Sequence, residues 1–300
     1  MKPDPQVLDR DQLQKDIIAL YESEHAQLGE TGTHEALDRG QGLAQTHLLA
    51  DTLSEGGVLV FPHAGVHDCG YQIAACVHAA LDSGADKVLF ISVLHAFTQE
   101  MEDARRAVAA GDDPSTFAHW GIQGPGTGGR NEWRGDHAPM SWRHFWNAEV
   151  ERRGLKKPPQ VIERYPYLAG GKPQNLPGIQ DLEELAKDAV IVSTADAFHH
   201  GIGYGDAPEA SFAPDEAGLR NAQNVLEEGI EILERGDYWG YNDHCVRAKS
   251  DARDAGQVFR YLRGPMTGRV LDLTSSDASA LYGAPKPTWV AAALFEWKPN

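Results

Sequence analysis

Three histidines stand where chemistry is done in sheet proteins. His63 follows the apolar run Leu59-Val60-Phe61, and His95 follows a second run over 87–93. His199 follows a third over 189–193, by way of Asp196. Short apolar runs bounded by glycine, proline or polar residues mark buried strands. In open α/β sheets, ligands bind beyond the carboxyl ends of the strands. One histidine at such a place is usually a satisfied structural residue. Three at one sheet edge shift the balance to a site. Imidazole offers a neutral nitrogen to a borderline metal, or a proton near neutral pH. Cys245, in Asn242-Asp243-His244-Cys245, is a fourth candidate. The commoner fate of a free cysteine is that of a small buried hydrophobe. Cys69 and Cys76 fit that fate better, being seven apart on one helix face.

The elements that must position these residues alternate along the chain. A helix is expected around 13–26. The strand at 59–61 is bounded by Gly56-Gly57 and Pro62. Ile73, Cys76, Val77, Ala80 and Leu81 follow at helix spacing over 70–84, and Gly84 ends that helix. The near-continuous run at 87–93 is that of a strand covered on both faces, and so is the run at 189–193. Helices are expected near 98–110, 182–187, 214–236 and 246–262. Strands are expected at 160–163, 269–273 and 289–296. The alternation predicts the α/β class: a three-layer α/β/α arrangement with a largely parallel central sheet. A single domain over 1–300 is expected.

Residues 111–146 read as an insertion in that domain. They are rich in glycine, and Trp120, Trp133, Trp142 and Trp146 lie there, four of the seven tryptophans. That composition suggests a long, partly ordered loop. The run Gly124-Pro-Gly-Thr-Gly-Gly129 does not read as a nucleotide loop, because no strand is expected before it and no Lys-Ser/Thr follows. Trp120 and Trp142 are candidates to stack on an aromatic substrate. Arg143, with Arg130 and Arg134, is a candidate to grip a carboxylate in a bidentate fork. The competing expectation is that the tryptophans pack on the sheet, or on another subunit in a homodimer.

Charge and composition exclude several classes. The 300 residues carry 27 basic and 44 acidic side chains, a net charge of −17. Such a surface repels phosphate backbones and anionic lipid, so neither nucleic acid nor membrane is an expected partner. No run approaches the roughly 18 apolar residues of a membrane-spanning helix. Residues 1–5, Met-Lys-Pro-Asp-Pro, do not read as a secretion signal, because no apolar run follows the lysine. Three cysteines cannot all pair within the chain, which points to a reducing cytoplasm.

These residues also carry a family resemblance. Pro62-His63-Ala64-Gly65, then Gly70, then a strand ending in His95, resembles the opening of the Memo family. The segment Ser193-Thr194-Ala195-Asp196-Ala197-Phe198-His199-His200-Gly201 resembles its Ser-Ser-Asp-Phe-Cys-His-Trp-Gly segment, with one insertion before the aspartate. Cys245 stands where the family has its late cysteine. Thr274-Ser275-Ser276-Asp277 and Thr288-Trp289-Val290-Ala291-Ala292 resemble its C-terminal serine-rich and Ser-Tyr-Ala-Ala strands. The likeness spans 56–96, 189–204 and 240–295. Departures fall around the pocket. Val66 and Asp68 replace the family's tyrosines, Ala96 its second histidine, and Gly203-Tyr204 its Arg-Phe.

The family shares its fold with class III extradiol ring-cleaving dioxygenases. The resemblance therefore implies a non-haem iron(II), Fe(II), dioxygenase acting on a small catechol or aminophenol, with dioxygen as co-substrate. It makes His63 and His95 metal ligands, with Cys245 in the third-ligand position. His199 matches the acid/base histidine, Asp196 orients a histidine, and Tyr204 is placed in the substrate pocket. A thiolate also suits copper or zinc. Two alternatives stay open: a non-catalytic copper- or iron-binding redox or signalling protein of the Memo type, and a zinc hydrolase with His199 as base.

Overall fold

The computed structural model of the chain describes residues 10–300. The expectation for residues 1–5 lies outside them. The chain opens with two helices, α1 (Arg10–Thr46, bent at Gly29) and α2 (Leu49–Ser54). Strand β1 (Val58–Phe61), helix α3 (Val66–Asp82) and strand β2 (Lys87–Ile91) follow. Helix α4 (Gln99–Ala109), strand β3 (Gly121–Gln123), helix α5 (Met140–Arg152) and strand β4 (Gln160–Tyr167) come next. Then come α6 (Ile179–Lys187), β5 (Val190–Thr194), β6 (His199–Gly201) and α7 (Glu216–Glu234). The chain ends through α8 (Tyr238–Arg247), α9 (Arg253–Arg263), β7 (Met266–Asp277), α10 (Ser279–Tyr282) and β8 (Thr288–Pro299).

The fold is mixed α/β. One sheet runs in the order β3-β4-β2-β5-β1-β8-β6, with β7 paired to β8. Its centre, β4-β2-β5-β1, is parallel. Its additions at either side, β3, β8, β6 and β7, pair antiparallel. The apolar runs read from sequence are these central strands. Their alternate residues enter different hydrophobic clusters. Val58, Val60, Leu89, Ile91 and Ile191 pack with residues of α6, α7 and α9. Leu59, Phe61, Val88, Phe90, Val190 and Val192 pack with residues of α2, α3 and α5. Period-two alternation explains why both sets are apolar: each face of the strand has a helix to bury against. Each such side chain stabilises the fold by roughly 1.5–3 kcal/mol.

Three details differ from expectation. Residues 111–146 are not one long loop: they contain β3, which pairs with β4, and the start of α5. The expected helix over 246–262 is two helices, α8 and α9, interrupted at 248–252, where Lys249 takes a φ of 53°. Strand β6 begins at His199 itself, on the edge beyond β8. Among the described residues, no helix is long and apolar enough to cross a membrane.

Candidate metal centre

Three neighbouring parallel strands, β2, β5 and β1, deliver the site. Their carboxyl ends are Ile91, Thr194 and Phe61, and His95, Asp196 and His63 come within four residues of those ends. Beyond them lies a cavity of about 490 Å³. Strand register brings the donors together. Phe61 and Thr194 are direct partners, so the segments carrying His63 and Asp196 leave the sheet side by side. Tyr21 of α1 covers this edge and donates its hydroxyl to the His63 carbonyl.

Each imidazole is held by its Nδ1. The Thr194 hydroxyl donates to the Phe61 carbonyl at 2.9 Å. Its oxygen is then left to accept from His63 Nδ1, 3.0 Å away. The Asp136 carboxylate accepts from the His95 backbone N–H at 2.7 Å and from His95 Nδ1 at 3.0 Å. The Lys249 carbonyl, 2.7 Å from His199 Nδ1, can only accept. The left-handed backbone at Lys249 aims that carbonyl, at a strain cost of roughly 1–2 kcal/mol. With Nδ1 engaged in all three, the neutral form of each imidazole carries its lone pair on Nε2. Metal-binding histidines are oriented in this way.

Those lone pairs converge on carboxylates. Asp251 Oδ2 lies 3.0 Å from His63 Nε2 and 3.5 Å from His95 Nε2. It is buried and has no hydrogen-bond partner of acceptable geometry. Its other oxygen accepts from the Asp196 backbone N–H at 2.8 Å. Asp196 Oδ1 accepts from the His63 N–H at 3.0 Å. Asp196 Oδ2 is 3.8 Å from His63 Nε2 and 4.0 Å from His199 Nε2. A fourth imidazole, His137, stacks on His95 at 4.2 Å and meets His63 edge-on at 5.6 Å. Two sets of donor atoms each lie within 4.8 Å of one another: His63, His95 and His137, and His63, Asp196 and Asp251.

The electrostatics have one cause throughout, charge held out of water. Burial would lower His95, but Asp136 and then Asp251 lift it to about 10. His63 is raised in the same way, against burial, by Asp196 and Asp251. Burial raises Asp196, helped by the charge of Asp251. Burial acts on Asp251 too, yet His63 and His95 hold it well below the usual carboxylate range. Burial keeps His199 and, more strongly, His137 neutral. A carboxylate oxygen facing two imidazole nitrogens suits a divalent cation with nitrogen and oxygen ligands, which would displace the protons held there.

The structure brings His63, His95, Asp196 and His199 into one cavity, with Tyr204 beside them. The Tyr204 ring lies 4.7 Å from the His199 ring and 4.9 Å from that of Tyr282. Cys245 lines the same cavity but belongs to neither donor set. Burial pushes its thiol up to about 12. The carboxylate of Asp251, six residues on, is the group that His63 Nε2 meets at 3.0 Å.

The three substrate-binding residues expected from the glycine-rich segment lie elsewhere. Trp142 is a core residue of α5, stacked with Phe61, Phe90 and Trp146 at 5.3–5.5 Å. Arg143, the next residue, points away and pairs with Glu163 and Tyr165. Trp120 precedes the edge strand β3 and packs against two hydrophobic clusters, away from the cavity. The expected loop is pinned to β4 and α3, and so its aromatics are spent on packing.

Asp136, His137, Asp251 and Tyr21 were not anticipated. The adjacent pair Asp136-His137 was a legible signal within a glycine-rich stretch. Asp251 was hidden by the apolar periodicity that continues across 246–262. Compared with known proteins, the chain matches no family model and no curated sequence.

Proposed function

We propose that this chain is a non-haem iron(II) dioxygenase that cleaves a small catechol- or aminophenol-type ring. The observation that carries it is the convergence of His63 Nε2 and His95 Nε2 on an Asp251 oxygen that has no hydrogen bond. Two histidines and one carboxylate on one side of a metal are the ligand type of non-haem iron(II) oxygenases, with positions left open. Iron(II) held there would pass electron density from an ionised catechol to dioxygen, so that both react in one place.

The protein's own residues supply the rest. His199 presents a neutral Nε2 to the cavity, with its tautomer locked by Lys249. It takes the phenolic proton and later returns it. Asp196, 4.0 Å from that nitrogen, stabilises the imidazolium formed in between. Tyr204, Tyr282 and Phe97 line the cavity and suit an aromatic ring. The resemblance to the Memo family supports this reading. We read the two hydrophobic clusters, each holding one set of alternate strand residues, as the two interfaces of a three-layer α/β/α arrangement, which fits the same reading. Three free, buried cysteines support a reducing compartment such as the cytoplasm.

One observation favours a second reading, metal-assisted hydrolysis with zinc. The extra carboxylate, Asp196, beside a neutral His199 also suits activation of a water molecule. Oxygen uptake separates the two. The chain is reconstituted anaerobically with iron(II) and offered a panel of catechols and aminophenols. Substrate-dependent uptake in proportion to bound iron is the expected result. Full iron occupancy without uptake across the panel rejects the oxygenase.

A further inference from the structure

Five cationic residues line the cavity: Arg10, Arg105, Arg106, Lys249 and Arg253. Three of them have carboxylate partners. Arg10 and Arg106 share Glu102, and Lys249 pairs with Asp206. Arg253 and Arg105 have none among the described residues. Arg253, the first residue of α9, is only 4% exposed. Its Nη2 has no hydrogen-bond partner, and its Nη1 reaches only the Arg105 carbonyl, at 3.5 Å. The Arg105 guanidinium repels it.

Shortage of acid is not the reason, since the chain has 44 acidic residues against 27 basic ones. Nearby carboxylates are turned elsewhere. Asp254, the neighbour of Arg253, accepts from the Leu168 and Ala169 N–H groups at 3.1 and 2.8 Å. Of the acids that line the cavity, Glu24 accepts from Val66 N–H and Asp277 pairs with Lys286. Asp196 and Asp251 belong to the metal centre. A buried, unpaired charge is costly and is best explained by a ligand that completes it.

We propose that Arg253, with Arg105 beside it, anchors a carboxylate on the substrate. The assignment rests on the aromatic-substrate reading and narrows it to a catechol or aminophenol that bears a carboxylate on the ring or on a short side chain. The planar guanidinium fork matches a carboxylate, and a neutral analogue would leave that charge unanswered. A cavity of about 490 Å³ has room for ring and acid together.

The test is calorimetric binding of 3,4-dihydroxybenzoate and 3,4-dihydroxyphenylacetate against their methyl esters, on the metal-free and the iron-loaded chain. At least one acid should bind at least about tenfold tighter than its ester. Arg253→Met should abolish that preference by weakening acid binding far more than ester binding, and should raise the melting temperature, because an unpaired buried charge is removed. A merely structural arginine would lower it. Arg253→Lys should keep part of the preference. If Arg253→Met does not fold, the wild-type acid-to-ester ratio and Arg105→Met decide. Equal binding of acid and ester, or no acid bound, overturns the proposal. Acid preference without oxygen uptake leaves this anchor standing and rejects the oxygenase instead.

Discussion

Asp251 Oδ2 stands 3.0 Å from His63 Nε2 without a hydrogen bond between them. His63 gives its Nδ1–H to Thr194, so the neutral imidazole turns its Nε2 lone pair to that oxygen. Against burial, the carboxylates raise the proton affinity of His63, and they make the same place one that favours a cation. A lone pair and a carboxylate oxygen face each other across a gap that a cation can fill. The chemistry assigned to the cavity rests on that relationship.

The histidines can be tested first. His63→Ala and His95→Ala should each lose bound metal, measured by elemental analysis after reconstitution and gel filtration. Full metal content in either variant would remove that residue from the ligand set.

His199 plays a different part. Its Nε2 is farther from the carboxylates, and its tautomer is that of a base. His199→Ala should keep its metal and lose about 10²–10⁴-fold in turnover. Unchanged turnover would end the acid/base assignment.

Proton and metal compete for His95. In the metal-free protein it is carried to about 10, mainly by Asp136 against the opposing effect of burial, whereas in an unfolded chain it titrates near about 6.5. The folded state therefore holds an extra proton between those values. The stability this gives is complete below about pH 6.5 and is lost as pH rises toward about 10. The melting temperature of chelated protein should fall over that window, and Asp136→Asn should flatten the fall. A flat profile in the chelated wild type would contradict the shift.

Trp142 and Arg143 are adjacent in the chain yet differ in consequence. Trp142→Ala should cost about 3–5 kcal/mol of stability, because the side chain is fully buried among aromatic rings. Arg143→Ala should cost about 1 kcal/mol, since the Arg143 end of its pair with Glu163 is open to solvent. Denaturant unfolding measures both. A change in substrate KM for Arg143→Ala would return it to the pocket.

The central strands were legible because residues covered on both faces must be apolar, and 59–61, 87–93 and 189–193 have that composition. The histidines were legible because each comes just after such a run. Asp251 was not. Its turn holds no proline or glycine, and Lys249 takes a left-handed backbone that its residue type does not announce. Composition also misled over the tryptophans. Glycine suggested a loop, but Gly121–Gln123 is short enough to pair with β4 while leaving little apolar pattern. Whether an aromatic faces a pocket or a core depends on which element lies beneath it, and that is a property of the whole fold.

The most direct measurement compares Asp251→Asn with Cys245→Ser, each reconstituted anaerobically with iron(II) and assayed for bound iron. Cys245→Ser should hold as much iron as the unaltered chain, and Asp251→Asn should lose most of it. Iron lost from Cys245→Ser and retained by Asp251→Asn would contradict the account and put the thiolate back in the ligand set.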